Sequence, residues 1–225
     1  RSTPHMTEFM AKWQKLGYEY DAIYSGFLAD AGQIEVVSDA ISRFAKDDSL
    51  IVVDPAMGDN GNLYPVFTPA IVPEMRKLIA KATVITPNYT EACLLAGVPY
   101  SKDLPKTTEM LELCKTLSDM GPKKIVITSV ASDLGTTKIV SYDTTTASFD
   151  EYPVHRLPFS TCGTGDLFTS VLTGALLQGT MLHAAIKRAA DFLSYAIEYT
   201  YKSGSDPREG VQVEPCLGKL LKDEL

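Results

Sequence analysis

The chain has 225 residues, 45% hydrophobic and 22% charged, which is ordinary globular usage and long enough to bury a sizeable core. A formal net charge of −7 argues against nucleic acid or an anionic membrane surface as the main partner. No apolar run approaches the roughly 20 residues that cross a bilayer, so no membrane partner is expected.

Four cysteines, Cys93, Cys114, Cys162 and Cys216, are scattered without a Cys-x-x-Cys pair. That pattern fits a reducing compartment better than a disulfide or zinc framework, and with no visible signal peptide the expected location is cytoplasmic. The last four residues, Lys222-Asp223-Glu224-Leu225, spell an ER-retention address, but nothing in the sequence directs entry to the secretory route. They are read instead as the tail of a helix.

In chain order, residues 1–14 have the pattern of the front of a helix, with Trp13 as a packing residue. Ala22-Ile23-Tyr24, Leu50-Ile51-Val52-Val53, Ala82-Thr83-Val84-Ile85 and Ile125-Val126-Ile127 are continuously apolar, as in strands buried on both faces of a parallel sheet. Helix-period segments lie between them at 33–44, 68–81 and 107–120. In the first, Ile34, Val37, Ile41 and Phe44 form one stripe. Asn88 followed by Glu91 three residues later predicts a short capped helix. Residues 138–142 and 148–152 read as a more exposed strand pair around a Thr-rich turn. Helices follow at 166–177 and 181–202, with Phe168 and Leu172 among core positions. A polar loop covers 204–210. Alternating strands and helices predict one α/β domain over residues 1–225: three layers, with a mostly parallel central sheet flanked by helices.

In open α/β sheets, ligands bind beyond the carboxyl ends of the strands. Four predicted strands end in small or polar residues: Ser25-Gly26, Asp54-Pro55-Ala56-Met57-Gly58-Asp59, Thr86-Pro87-Asn88-Tyr89-Thr90-Glu91 and Thr128-Ser129. Together they suggest a shared cleft.

Thr161-Cys162-Gly163-Thr164-Gly165-Asp166 opens the helix after them. One reading is a turn and a helix cap. The other is an anion site: glycines let the backbone approach closely, the helix N-terminus attracts negative charge, and Asp166 accepts a proton from an attacking hydroxyl. Gly163–Gly165 amides would then hold charge developing on a transferred group. Asp54, Asp59 and Glu91 likewise fit either turn and capping chemistry or oxygen ligation of Mg²⁺. Gathered without a cation, such acids raise one another's pKa. Cys162 is expected as a small buried spacer. His155 fits a surface position, and His5 and His183 have no ligand spacing. Neither a P-loop nor a Gly-x-Gly-x-x-Gly motif is present.

These segments, taken in order, resemble the ribokinase-like superfamily and, within it, the pyridoxal/pyridoxamine kinases. The likeness rests on Phe27-Leu28, Asp54-Pro55-Ala56-Met57-Gly58-Asp59 through Leu63-Tyr64, Thr86-Pro87-Asn88 with Glu91, Thr128-Ser129, Gly163-Thr164-Gly165-Asp166 and Gly204-Ser205-Asp206-Pro207-Arg208-Glu209-Gly210. It implies ATP-dependent phosphorylation of the 5′-hydroxymethyl group of a vitamin B6 vitamer by a homodimer. A hydroxymethylpyrimidine or sugar kinase of the same superfamily and a non-catalytic ligand-binding relative are the rival readings.

The resemblance makes Asp166 the base and Gly163, Thr164 and Gly165 the anion hole, with Asp166 and Tyr64 near the substrate. It places Asp54, Asn88, Glu91, Thr128, Ser129, Arg156, Leu157 and Thr164 along ATP. Asp59 and Glu91 would serve Mg²⁺, and Asp54, Thr86 and Thr128 a monovalent cation, usually K⁺. The family begins well before the point matching Arg1, with a first strand, lid strands and part of the substrate pocket. A protein truly starting here is expected to have weak or no activity and an exposed sheet edge. With that segment present, the full activity is expected.

Overall fold

The computed structural model describes residues 2–133, 136–154 and 161–221. It is built from α1 (Thr3–Leu16), β1 (Tyr20–Ser25), α2 (Ala31–Phe44), β2 (Ala45–Val53), β3 (Gly58–Asp59), β4 (Asn62–Leu63), α3 (Ile71–Ile79), β5 (Val84–Ile85), α4 (Tyr89–Ala96), α5 (Thr107–Ser118), β6 (Lys124–Ala131), β7 (Thr137–Asp143), β8 (Ser148–Val154), α6 (Thr164–Leu177) and α7 (Leu182–Ser203). The main sheet has the order β1-β2-β5-β6-β7-β8. Its first four strands are parallel, and β7 and β8 join antiparallel.

Side chains alternate across a strand, so each continuously apolar run feeds two cores. Ile51, Val53, Ile85, Ile125 and Ile127 face one layer, where they pack with Ile34 and Ile41 of α2, Met75 and Leu78 of α3 and Leu117 of α5. Val52, Val84 and Val126 face the other, against Phe168 and Leu172 of α6 and Ala185, Ile186 and Ala189 of α7. This three-layer arrangement is the one the sequence predicts. Burying both faces of the parallel strands leaves only their ends as a place for polar chemistry.

Local signals set the helix boundaries. The Asp30 carboxylate accepts a hydrogen bond from the Gln33 amide at 3.0 Å and starts α2. Asn88 and Glu91 form the predicted capping box at α4. Trp13 stands edge-on to Tyr20 and Phe44, at 5.7 and 5.9 Å between ring centroids, which is packing as expected.

Several boundaries differ from the sequence reading. Helix α3 covers only Ile71–Ile79, and α6 begins at Thr164, which puts Asp166 in its first turn. Strand β2 extends back to Ala45 through Lys46, Asp47 and Asp48, because its first half lies at an open end where charged side chains stay in water. The strand pair 137–154 exists, but Ile139, Val140 and Ser141 of β7 are buried; β7 lies between β6 and β8, and only β8 is the more exposed edge.

A two-stranded ribbon, β3–β4, was not expected. It turns through Asn60 and Gly61, both with positive φ (52° and 82°), the backbone that an Asn-Gly pair favours in tight hairpins. At Gly61 an added Cβ would lie 2.6 Å from Tyr100 Cδ1, so both backbone and space call for glycine.

Candidate active site

Parallel strand direction brings the ends of β1, β2, β5 and β6 to one edge of the sheet. The chain is stitched across them: the Asp54 amide donates to Ser25 O at 2.8 Å, the Thr86 amide to Val53 O at 3.1 Å, and the Thr128 amide to Pro87 O at 2.9 Å. Asp54, Thr86, Asn88, Thr128 and Ser129 therefore line one rim, as the sequence predicts. Ser129 takes a positive φ of 57°, a conformation that non-glycine residues adopt at a cost, and it marks the irregularity where β6 departs from β7. The Ser25 hydroxyl at this rim is buried without a hydrogen-bond partner among the described residues.

Glu91 is 2% exposed, and its carboxylate is held from three sides. Oε1 accepts from the Met57 and Gly58 amides at 3.0 and 3.4 Å, and Oε2 accepts from the Asn88 amide at 2.8 Å. The Asn88 side-chain amide donates to Gly58 O at 2.8 Å, and the Gly61 amide donates to Thr90 Oγ1 at 2.9 Å. The start of α4 thus clamps the β3–β4 ribbon that carries Asp59. Capping and site building are one function here. Asp59 itself is exposed, and its oxygens accept from the Asn60 amide and side chain at 2.8 and 2.9 Å.

The glycine turn closes the cleft from the other layer. Gly163 caps α6 with φ 82° and no side-chain cap, and the first helical bond runs from the Leu167 amide to Gly163 O. The Thr164, Gly165 and Asp166 amides precede that bond, where a helix offers N–H groups without an internal acceptor. A Cβ built on Gly163 meets nothing within 4 Å among the described residues, so these leave the turn open to a ligand. One built on Gly165 would lie 3.6 Å from Asp54 Oδ2, which brings Asp54 and the turn face to face. Thr161 fastens the turn by donating to Pro207 O at 2.8 Å, giving the 204–210 loop a positioning role. Cys162 is exposed rather than buried, because the turn projects from the layer instead of packing into it.

Electrostatics tie these parts together. Burial, followed by the charges of Glu91 and Asp166, raises the Asp54 carboxyl well above its ordinary range. Burial also pushes Glu91 up to about 7 against the opposing pull of its three backbone donors, with Asp59 adding repulsion. The Tyr64 phenol is raised by burial and then by Glu91, Asp59, Asp54 and Asp166, which places it within the field of all four acids.

Among the described residues no group of three or more His, Cys, Asp or Glu is arranged to hold a metal alone. The donors present are hard oxygens beside an excess of negative charge, which suits a divalent cation that arrives with phosphates and keeps several waters. For a monovalent cation, Asp54, Thr86 and Thr128 do share the rim. The Thr86 hydroxyl, however, is bonded to Thr169 Oγ1 at 3.0 Å. Arg156, Leu157 and His155 lie outside the described residues, as does the 222–225 tail.

Sequence reasoning missed Tyr24, whose hydroxyl donates to Asp166 Oδ1 at 3.2 Å, and Thr169 on the same helix as Asp166. Both read as ordinary strand and helix residues.

The model of the phosphomethylpyrimidine kinase family matches residues 11–210. The chain belongs to that family. A pyridoxine kinase of Bacillus subtilis is 32% identical over 190 residues, covering 82% of this chain and 66% of the relative. The chain thus spans just under two thirds of that relative's length. A Bacteroides thetaiotaomicron protein assigned to the phosphomethylpyrimidine kinases, in a crystal form with pyridoxal, superposes with a TM-score of 0.93 at 43% identity, covering 98% of this chain and 78% of that one. The pyridoxal kinase of B. subtilis in an ADP complex superposes with a TM-score of 0.63 at 30% identity, covering 79% of this chain and 64% of that one. No helix among the described residues is long and apolar enough to cross a membrane.

Proposed function

We propose that this chain carries the phosphoryl-transfer centre of an ATP-dependent kinase for the 5′-hydroxymethyl group of pyridoxal, pyridoxamine or pyridoxine. Residues 1–225 act as one catalytic domain of a cytoplasmic homodimer. The observation that carries this reading is the pairing of an exposed Asp166 carboxylate with an open glycine turn at the start of α6, opposite the strand-end acids. The likeness to a protein crystallised with pyridoxal supports the choice of substrate.

In this reading Asp166 takes the proton of the substrate hydroxyl as that oxygen attacks the γ-phosphorus of ATP. The new oxygen–phosphorus bond forms, the bond to ADP breaks, and the electron pair leaves on ADP. The amides of Gly163, Thr164 and Gly165 stabilise the transferring group, so positioning and electrostatics supply most of the acceleration. Asn88 and Thr128 at the rim, with Ser129, border the nucleotide, and Tyr64 stands beside the reacting hydroxyl. Asp59 and Glu91 would hold Mg²⁺, Glu91 through lone pairs left beyond its backbone bonds; the ion supplies neutralisation of phosphate charge. Asp54, Thr86 and Thr128 would hold K⁺.

A second reading, phosphorylation of a hydroxymethylpyrimidine, is favoured by the family whose model matches the chain. A coupled ADP-release assay across pyridoxal, pyridoxamine, hydroxymethylpyrimidine and ribose separates the two. Release with a B6 vitamer is expected. Release only with the pyrimidine selects the second reading, and release with none leaves a ligand-binding protein.

A further inference from the structure

We propose that Tyr24 is a positioning residue for Asp166: its hydroxyl holds one carboxylate oxygen so that the other is presented to the substrate hydroxyl. This rests on the reading of Asp166 as the base. Four observations combine.

Tyr24 is fixed in β1, the strand at one end of the sheet, where it pairs with Val52 of β2, and its ring packs against the α6–α7 layer. Its hydroxyl donates to Asp166 Oδ1 at 3.2 Å across 142 positions of sequence. Gly26 leaves the room for this contact, since a Cβ there would stand 3.1 Å from Asp166 Oδ1 and 3.3 Å from the Tyr24 hydroxyl.

The fourth observation is what lies behind the tyrosine. Thr169, three residues after Asp166 on α6, stands near the phenol, and its own hydroxyl meets that of Thr86 at 3.0 Å in the buried interior. Hydroxyls from β1, α6 and the end of β5 therefore gather behind Asp166, with Tyr24 the one that reaches it. An ionised carboxylate only accepts hydrogen bonds, so this contact has one direction: Tyr24 donates to Asp166. Burial and the nearby Asp54 and Asp166 charges keep the phenol protonated, in keeping with that direction. Asp166 is otherwise exposed on the first turn of a helix, where a free carboxylate would sample several rotamers. A donor mounted on a strand selects one.

The test is Tyr24→Phe, which keeps the packed ring and removes only the hydroxyl. The expected result is a fall of about tenfold in kcat, the scale of a lost hydrogen bond to a charged group, with KM for ATP changed by less than about twofold. Added to Asp166→Asn, the same change should cause no further loss. An unchanged kcat, or the same loss in both backgrounds, overturns the proposal. A readout independent of turnover is the ¹³Cζ resonance of Tyr24, assigned as the signal missing from Tyr24→Phe. It should move in Asp166→Ala, and an unmoved resonance overturns the proposal. Should the parent release no ADP with any alcohol, the kinase reading fails while this resonance still decides the contact.

Discussion

Replacing Glu91 with Gln tests how the buried acid couples the site to stability. Burial holds this carboxyl at about 7 rather than the ordinary 4.5. Between those values the unfolded chain releases the proton first and the folded chain keeps it. Stability from Glu91 is therefore fully present below about 4.5 and is lost as pH rises to about 7. At about 1.4 kcal/mol per unit, the loss is on the order of 3 kcal/mol. Repulsion between Glu91 and Asp54 acts in the same direction. A glutamine has no charge to bury, but it turns an NH₂ toward either the Asn88 amide or the Met57 and Gly58 amides, costing roughly 1–3 kcal/mol at every pH. Urea unfolding from pH 5 to 8, with slopes checked for constancy, should show the variant less stable than the parent at pH 5 and the gap closing by pH 8. A gap that stays constant across the range would refute the assignment of a burial-dominated carboxyl. A gap that widens would mean that the three backbone donors outweigh burial.

Gly163→Ala should cost only the left-handed backbone term, about 1 kcal/mol or a few degrees of Tm, because its methyl meets nothing within 4 Å among the described residues. Its ADP release should nonetheless fall by at least about tenfold, since the methyl intrudes where the transferred group is stabilised; unimpaired release would remove the turn from that role. Gly61→Ala should lower Tm by clearly more than Gly163→Ala, because it adds a 2.6 Å clash with Tyr100 to the same backbone strain. Equal shifts for the two variants, read by calorimetry, would mean that the Tyr100 ring yields freely.

The parts legible from sequence are those set by neighbours along the chain. Continuous apolar runs gave the four parallel strands, Asn88 and Glu91 gave the cap of α4, and the glycines before Asp166 gave an open helix start. The rim followed because parallel strands must end on the same side. What escaped depends on contacts between distant segments. Tyr24 looks like any aromatic in a strand until α6 brings Asp166 to it. The β3–β4 ribbon has strands of two residues each, too short for periodicity, although Asn60-Gly61 is a hairpin signal that sequence reading could have used. Exposure of Cys162 and burial of β7 were misjudged for the same reason: each is decided by what packs alongside, which local polarity does not encode.

The central claim is that Asp166 accepts the substrate proton. It is tested most directly by comparing parent and Asp166→Asn in pyridoxal-dependent ADP release, with affinity for a non-hydrolysable ATP analogue measured by calorimetry. The account predicts a loss in kcat of about a hundredfold or more, with analogue affinity within about twofold of the parent. Near-parental turnover in Asp166→Asn would contradict it.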